Sequence, residues 1–296
     1  MTSTLIRRAA VAAMLLAGGC IPSAPPGDQG KLPTIDPASP TAPVTASEDP
    51  VAAEARLVAE WNTLSADRDA ARQTGRHKEI AYMLGNMRPE ALFPIVDVMG
   101  AADTAPHVRV FAVESLSLFM QPAHVEKLGA LLDPKNDATA RACAASLLGT
   151  IRDPKALDYL RGVANDPERR IKFSALLGLG NQGDKTMRDQ AAAMYAQPET
   201  TPEEKVQIVL LILKETGPAD VPILEDALLV PAIDSILKGM IVTNLGRIGD
   251  ASAVEPLKKS KDIVNEPTYG ETVDAAIAVI EERIAAAAAM PTSAAP

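Results

Sequence analysis

The sequence predicts an all-α fold, an α-solenoid (α-α superhelix) of about six to seven repeated helix pairs. Three observations point there. An apolar residue near the end of each strongly periodic stretch recurs at Leu84, Leu116, Leu148, Leu179, Leu213, Leu245 and Val279, at intervals of 32, 32, 31, 34, 32 and 34 residues. Of the 296 residues, 47% are hydrophobic but only 3% aromatic. The core is therefore built from Ala, Leu, Ile and Val, which suits close-packed helices better than strands. Strand-like alternation of useful length is absent.

Residues 1–19 hold the basic pair Arg7 and Arg8, an apolar core from Ala9 to Ala17 and the small residues Gly18 and Gly19. That core is shorter than the roughly 20 apolar residues a spanning helix needs, so the segment reads as a processed signal peptide. Leu16-Ala17-Gly18-Gly19-Cys20 resembles the lipobox of bacterial lipoproteins, with Leu16 one place early and Ala17 in its position. The resemblance implies cleavage before Cys20 and a lipid anchor on its thiol. Ile21, rather than Asp, follows the cysteine, which by the same resemblance implies the periplasmic face of the outer membrane. An ordinary secretory signal with an incidental cysteine is the alternative. Residues 20–50 are expected as the lipidated cysteine and a disordered Pro/Ala-rich linker, because a segment with so few large apolar groups cannot offset the entropy of ordering itself.

The repeats are expected over residues 51–284, with 51–74 supplying an N-terminal capping helix or an atypical first repeat. Their helix starts are legible. Asp153-Pro154 places a capping carboxylate before a proline in the first turn. Thr201-Pro202-Glu203-Glu204 has the spacing of a capping box. Asn165-Asp166-Pro167 turns the chain into a second helix whose stripe is Ile171, Ala175 and Leu179, ended by Gly180 and Gly183. Asp153, Asp184 and Asp250 each close a turn after a recurring leucine, and Ala112, Ala144, Ala175 and Ala275 stand four places before the recurring position. A helix pair of this size cannot bury its faces alone, whereas stacked copies can. Residues 285–296 are expected as an Ala-rich disordered tail.

Over residues 76–284 the pattern resembles HEAT repeats, in the short form named after phycobilisome lyases. Val108-Arg109 with Ala112, Arg141 with Ala144, Leu148-Gly149-Thr150-Ile151 and Leu245-Gly246-Arg247-Ile248-Gly249-Asp250 match parts of that family's second helix. Pro94, Pro222 and Pro256 stand where its first helix carries an early proline. The resemblance implies an Asp–Arg ladder between successive repeats. Its basic row would be His77, Arg109, Arg141, Lys172 and Lys238, with Asp103 and Asp166 lying six residues before Arg109 and Lys172. A row of cations receiving an acidic partner is the alternative.

Charge and motif content exclude several functions. The net charge is −9, and removal of residues 1–19 leaves 27 bases against 38 acids, or −11. Nucleic-acid binding, which wants a basic stripe, is not expected. The three histidines lie in separate repeats, where solvated surface positions are expected, and no His-Glu pair of the kind found in the HEAT-repeat enzyme deoxyhypusine hydroxylase occurs. No metal site and no cofactor are expected. Cys143 lies in an apolar helix with no histidine near it in sequence, so it reads as a core residue rather than a nucleophile. Trp61 reads as packing for the cap.

What is left is a surface. Positions five and two before the recurring leucine are expected to point outward, giving a partner-binding groove at Phe111, Glu114, Ile208, Leu211, Met240 and Thr243, with Glu79, Tyr82 and Leu177 in the same rows. The alternative is burial by inter-repeat packing. The expected function is a membrane-anchored, non-enzymatic scaffold that binds an unidentified protein of the cell envelope. A HEAT-scaffold enzyme or cofactor-handling protein of the lyase type, and a passive envelope spacer, are its rivals.

Overall fold

The computed structural model describes residues 49–67 and 75–289. The expected signal peptide, Cys20 and almost all of the linker lie outside the described residues. Among those described there are fourteen α-helices and no strand. In chain order they alternate as first and second helices. The chain divides into two compact units between Arg188 and Asp189.

The first unit holds four pairs. They are α1 (Pro50–Ala66) with α2 (Arg76–Met87), α3 (Phe93–Gly100) with α4 (Pro106–Leu116), α5 (Val125–Leu131) with α6 (Ala138–Leu148), and α7 (Pro154–Val163) with α8 (Arg169–Asn181). Short 3-10 turns at Pro89–Leu92 and Pro122–His124 lead into α3 and α5. The expected capping helix is α1, and Trp61 secures it. Its ring is fully buried, and Nε1–H donates to Ser115 Oγ of α4 at 3.1 Å. Leu84, Leu116, Leu148 and Leu179 are fully buried, as is the α8 stripe of Ile171 and Ala175. Asp153 accepts from the Lys155 N–H at 2.8 Å, starting α7 as its sequence indicates. Gly183 closes the turn after α8 at φ +97°, a region that an L side chain disfavours. The second helices α6 and α8 meet at Gly149 and Gly178, so closely that a Cβ on Gly149 would lie 2.6 Å from Gly178 Cα.

The division falls inside α9 (Lys185–Ala193). The second unit then holds α10 (Pro202–Ile212), α11 (Val221–Leu229) with α12 (Ser235–Ile248), and α13 (Val254–Ile263) with α14 (Pro267–Ala289). The capping box at the start of α10 is complete: Thr201 N–H donates to Glu204 Oε2 at 2.9 Å, and Glu204 N–H donates to Thr201 Oγ1 at 3.2 Å. Gly246 of α12 lies against Ala276 of α14, and Arg283 donates to the carbonyls of Gly246 and Gly249, both at 2.6 Å. A cation thus satisfies the C-terminal carbonyls of the neighbouring helix.

The register of the second unit departs from the sequence reading in two places. The fully buried residue is Ile212 rather than Leu213, and Ile280 rather than Val279, which is exposed. The small residue four places before Ile280 is accordingly the buried Ala276, while Ala275 is exposed. Both slips fall in unbroken apolar runs, Ile208 to Leu213 and Ala275 to Ile280, where periodicity alone does not select a stripe. The corrected intervals from Leu179 are 33, 33 and 35 residues, through Ile212 and Leu245 to Ile280. At the C-terminus α14 continues to Ala289, five residues beyond the expected end at 284. Alanine is the strongest helix former, and no Gly or Pro interrupts the run before Pro291.

Candidate functional site

The residues seven places before the buried leucines form an ordered set of contacts in the first unit. Arg109 is buried. Its Nε donates to Met99 O at 3.1 Å and Nη2 to Ala101 O at 2.7 Å, at the end of the first helix of its own pair. The same guanidinium forks onto Asp137 at 3.2 and 2.8 Å. Asp137 caps α6 of the next pair, accepting from Thr139 and Ala140. Arg141 repeats the arrangement: Nε donates to Leu132 O at 3.1 Å, and Nη2 pairs with Asp166 at the start of α8. The ladder therefore runs forward, from each arginine to the acid of the following pair. Asp103 is exposed rather than beside Arg109, and Asp166 serves Arg141 rather than Lys172. Asp137 is the N-cap of α6, whereas Asp166 accepts from the Glu168 N–H in the turn ahead of α8, so each acid belongs to the entry of the following second helix and stands at no fixed distance from the cation in its own repeat.

The two ends of the basic row differ. His77 is buried, not solvated, with its ring centroid 5.0 Å from that of Phe111 and Nε2 3.5 Å from Glu114 Oε2. Glu114 also pairs with Lys78 at 3.1 Å. Burial pushes the Glu114 carboxyl up, but contacts with His77 and Lys78 outweigh it and hold the group below the usual carboxylate range. His124 is buried too, bonded through Nε2 to Pro89 O at 2.9 Å, so it ties two 3-10 turns together. In the second unit Lys238 is only 1% exposed and makes no ion pair with a described residue. Its burial, partly offset by Asp234, pushes the ammonium below the usual lysine range.

The expected groove residues do not form one exposed set. Phe111, Ile208 and Leu211 are buried. Phe111 is enclosed by His77 and His107. Ile208 and Leu211 take core places because the register at Ile212 shifts them by one. Glu114 is half-buried in its ion pairs, and Leu177 is buried. Met240 is 47% exposed and Thr243 is exposed. Two exposed residues join the picture: Tyr82, an expected row member, at 57% and Ile236, which the sequence reading missed, at 77%. In α6 and α8 the outward rows hold Cys143, Ser146, Ser174 and Leu177, all buried. Outward positions stay open on α2 at Tyr82, on α12 at Met240 and Thr243, and on α14 at Ala275 and Ala278. Ile236 lies four places before Met240, so the one-turn spacing of the apolar pair was a readable signal.

Chemistry is sparse. Cys143 is fully buried in α6, as expected of a core residue. The described residues hold no group of three or more His, Cys, Asp or Glu arranged to ligate a metal. No described helix is long and apolar enough to cross a membrane. Tyr195 donates to Asp226 at 2.9 Å, and burial followed by that carboxylate raises its phenol well above the usual range, so it is a structural group.

Residues 125–211 match the family model of HEAT repeats. The match covers α5 to nearly the end of α10, the stretch that includes the Arg141–Asp166 rung and the Gly149–Gly178 contact. It supports a helical scaffold of the kind that serves protein interaction. No curated protein matches the chain.

Proposed function

We propose that the protein is a non-enzymatic interaction scaffold of the bacterial cell envelope, lipid-anchored through Cys20 and facing the periplasm from the outer membrane. The observation that carries the scaffold reading is the exposure of large apolar side chains on second helices: Tyr82 on α2, and Ile236 with Met240 one turn apart on α12. Burying such residues against a partner is favourable, and contiguous exposed apolar surface on a folded protein marks interaction sites. The anchor rests on the signal-like segment ending at Cys20.

The test uses the full chain. Affinity capture from detergent-solubilised envelopes compares wild type with Tyr82→Asp and with Ile236→Asp plus Met240→Asp. These exposed positions tolerate charge, whereas Phe111→Asp would bury a carboxylate. A defined partner retained by wild type and lost by either surface variant supports the scaffold; capture indifferent to both contradicts it. Metabolic labelling with palmitate, present in wild type and absent from Cys20→Ser, is the result expected of the anchor.

A further inference from the structure

The first unit exposes an aromatic pair near the point where the chain enters the fold. Tyr82 of α2 is 57% exposed, and its ring meets that of Phe119, in the turn after α4, edge to face with centroids 5.7 Å apart. Phe119 is half-buried, and Leu118 beside it is exposed. Gly85, three places after Tyr82, makes room for the second ring: a Cβ there would lie 3.5 Å from Phe119 Cβ. The ions on the preceding turn of α2 are already matched, Lys78 with Glu114 and Arg76 with Glu79. What the surface offers a ligand is two rings and two uncharged donors. The donors are the Tyr82 hydroxyl and the exposed Asn86 amide one turn on, neither bonded to a described residue.

We propose that the chain's own segment Pro37-Ala38-Ser39-Pro40-Thr41-Ala42-Pro43 docks on the Tyr82–Phe119 pair. The inference rests on the scaffold reading and adds its regulation: the segment covers the Tyr82 surface, and a partner has to displace it. The segment lies outside the described residues, and its sequence suits the surface in two ways. No charged residue occurs from Pro37 to Ser47, which fits a surface whose own charges are paired. Prolines recur at every third residue, and a polyproline II helix has three residues per turn, so in that conformation the three share one edge. Its carbonyls have no internal hydrogen bonds and are free to accept from Tyr82 and Asn86. Pro-x-x-Pro segments dock on aromatic-lined surfaces in this conformation because little entropy is left to lose.

The point of entry selects this occupant. Arg88, just past α2, forks onto Glu54 of α1 at 3.0 and 2.9 Å, so the start of α1 lies beside the end of α2. Tyr82 stands six residues before Arg88, and Asp49 five before Glu54. At about 1.5 Å per residue the two levels are on the order of 15 Å apart along the helices. Pro40 stands nine residues before Asp49, a stretch that covers about 28 Å at about 3.1 Å per residue, so it reaches the pair with slack. One ring pair binds weakly between separate molecules, whereas a short tether raises the local concentration to about the millimolar range.

The test is photocrosslinking in the purified, detergent-solubilised full chain, with a benzophenone-bearing phenylalanine in place of Tyr82 and the product mapped by mass spectrometry. The expected product joins position 82 to residues 37–43 of the same chain, at a yield unchanged by dilution. Pro37→Gly with Pro40→Gly and Pro43→Gly should lower the yield roughly fivefold or more by restoring freedom to the unbound segment. These substitutions lie outside the helices, so the melting curve should not move. The same photoreactive residue at the exposed Lys155 should give no product in the segment. No product in residues 37–43, a product joining two chains, indifference to the three prolines, or an equal yield from Lys155 overturns the assignment. In envelope capture, the triple-glycine chain should retain more of a partner that depends on Tyr82. Equal capture by wild type and the triple-glycine chain, lost from both with Tyr82→Asp, would leave the scaffold reading standing while removing this contact.

Discussion

At the scale of single residues, two charged side chains, the buried Lys238 and the half-buried Glu114, behave differently because their partners differ. Lys238 is the rung without an acid. Asp137 stands 11 residues before Leu148, and Asp166 stands 13 before Leu179; the corresponding stretch before Ile280 is Pro267-Thr268-Tyr269. A buried unpaired cation is costly, and an apolar chain of similar volume is neutral or better in its place. Lys238→Met is therefore expected to raise stability at neutral pH by about 1 kcal/mol, which for a chain of this size is about 2–4 °C in Tm. Its folded value lies below the ordinary 10.5, so the unfolded chain holds more protons in that interval. Wild type should gain on the variant as pH rises toward 10.5, and a constant gap between the two melting curves would refute this. Glu114 has the opposite consequence. Its folded value lies below the ordinary 4.5, so its contribution is full above that value and is lost as pH falls through the folded one. Glu114→Gln should be less stable than wild type at pH 7, by about 1–2 kcal/mol for a hydrogen-bonded charge, with the difference vanishing in acid; thermal melts across that range check it.

At the scale of elements, helix starts were the most legible part of the sequence. Asp153 and Thr201 are local signals whose capping bonds form within two or three residues, so no tertiary context was needed to read them. The ladder was half legible. Its cations recur at a fixed place, but each acid belongs to the turn that enters the following second helix, at a distance that varies, and the pairing with Asp137 depends on how that loop folds. The register of α10 and α14 was not legible, because unbroken apolar runs offer two equally good stripes. The groove fell with it: Ile208 and Leu211 moved into the core by one residue. Phe111 was lost for another reason, the two histidines packed on it. The Arg109–Asp137 rung should show its inter-repeat character in a double-mutant cycle of Arg109→Met and Asp137→Asn. A coupling of about 1 kcal/mol, reduced by the partial exposure of Asp137, is expected from urea melts. Additive effects would mean that Arg109 serves only the carbonyls of Met99 and Ala101.

At the scale of the whole molecule, the all-α class and the number of helix pairs were legible because recurrence survives local ambiguity: moving a stripe by one residue changes an interval of about 32 residues very little. Fourteen helices, alternating as first and second, occupy the described residues, consistent with the repeated helix pairs that recurrence indicates. The division inside α9 left no mark in composition, since the helices on both sides draw on the same Ala, Leu and Ile. Stability in such a fold is the sum of pair contributions and nearest-neighbour interfaces, and close contacts such as Gly149 on Gly178 and Gly246 on Ala276 supply the latter. Open surface remains on α2, α12 and α14. The central claim is that these open second-helix faces are where the protein engages another. The most direct test is site-specific photocrosslinking in intact cells, with the photoreactive residue placed at Tyr82, Ile236 or Met240 and, for comparison, at the exposed first-helix positions Lys155 and Arg161. A discrete crosslinked product from at least one of the first three positions, and none from the last two, is the predicted result. Products from the first-helix positions alone, or from none of the five, would contradict the account.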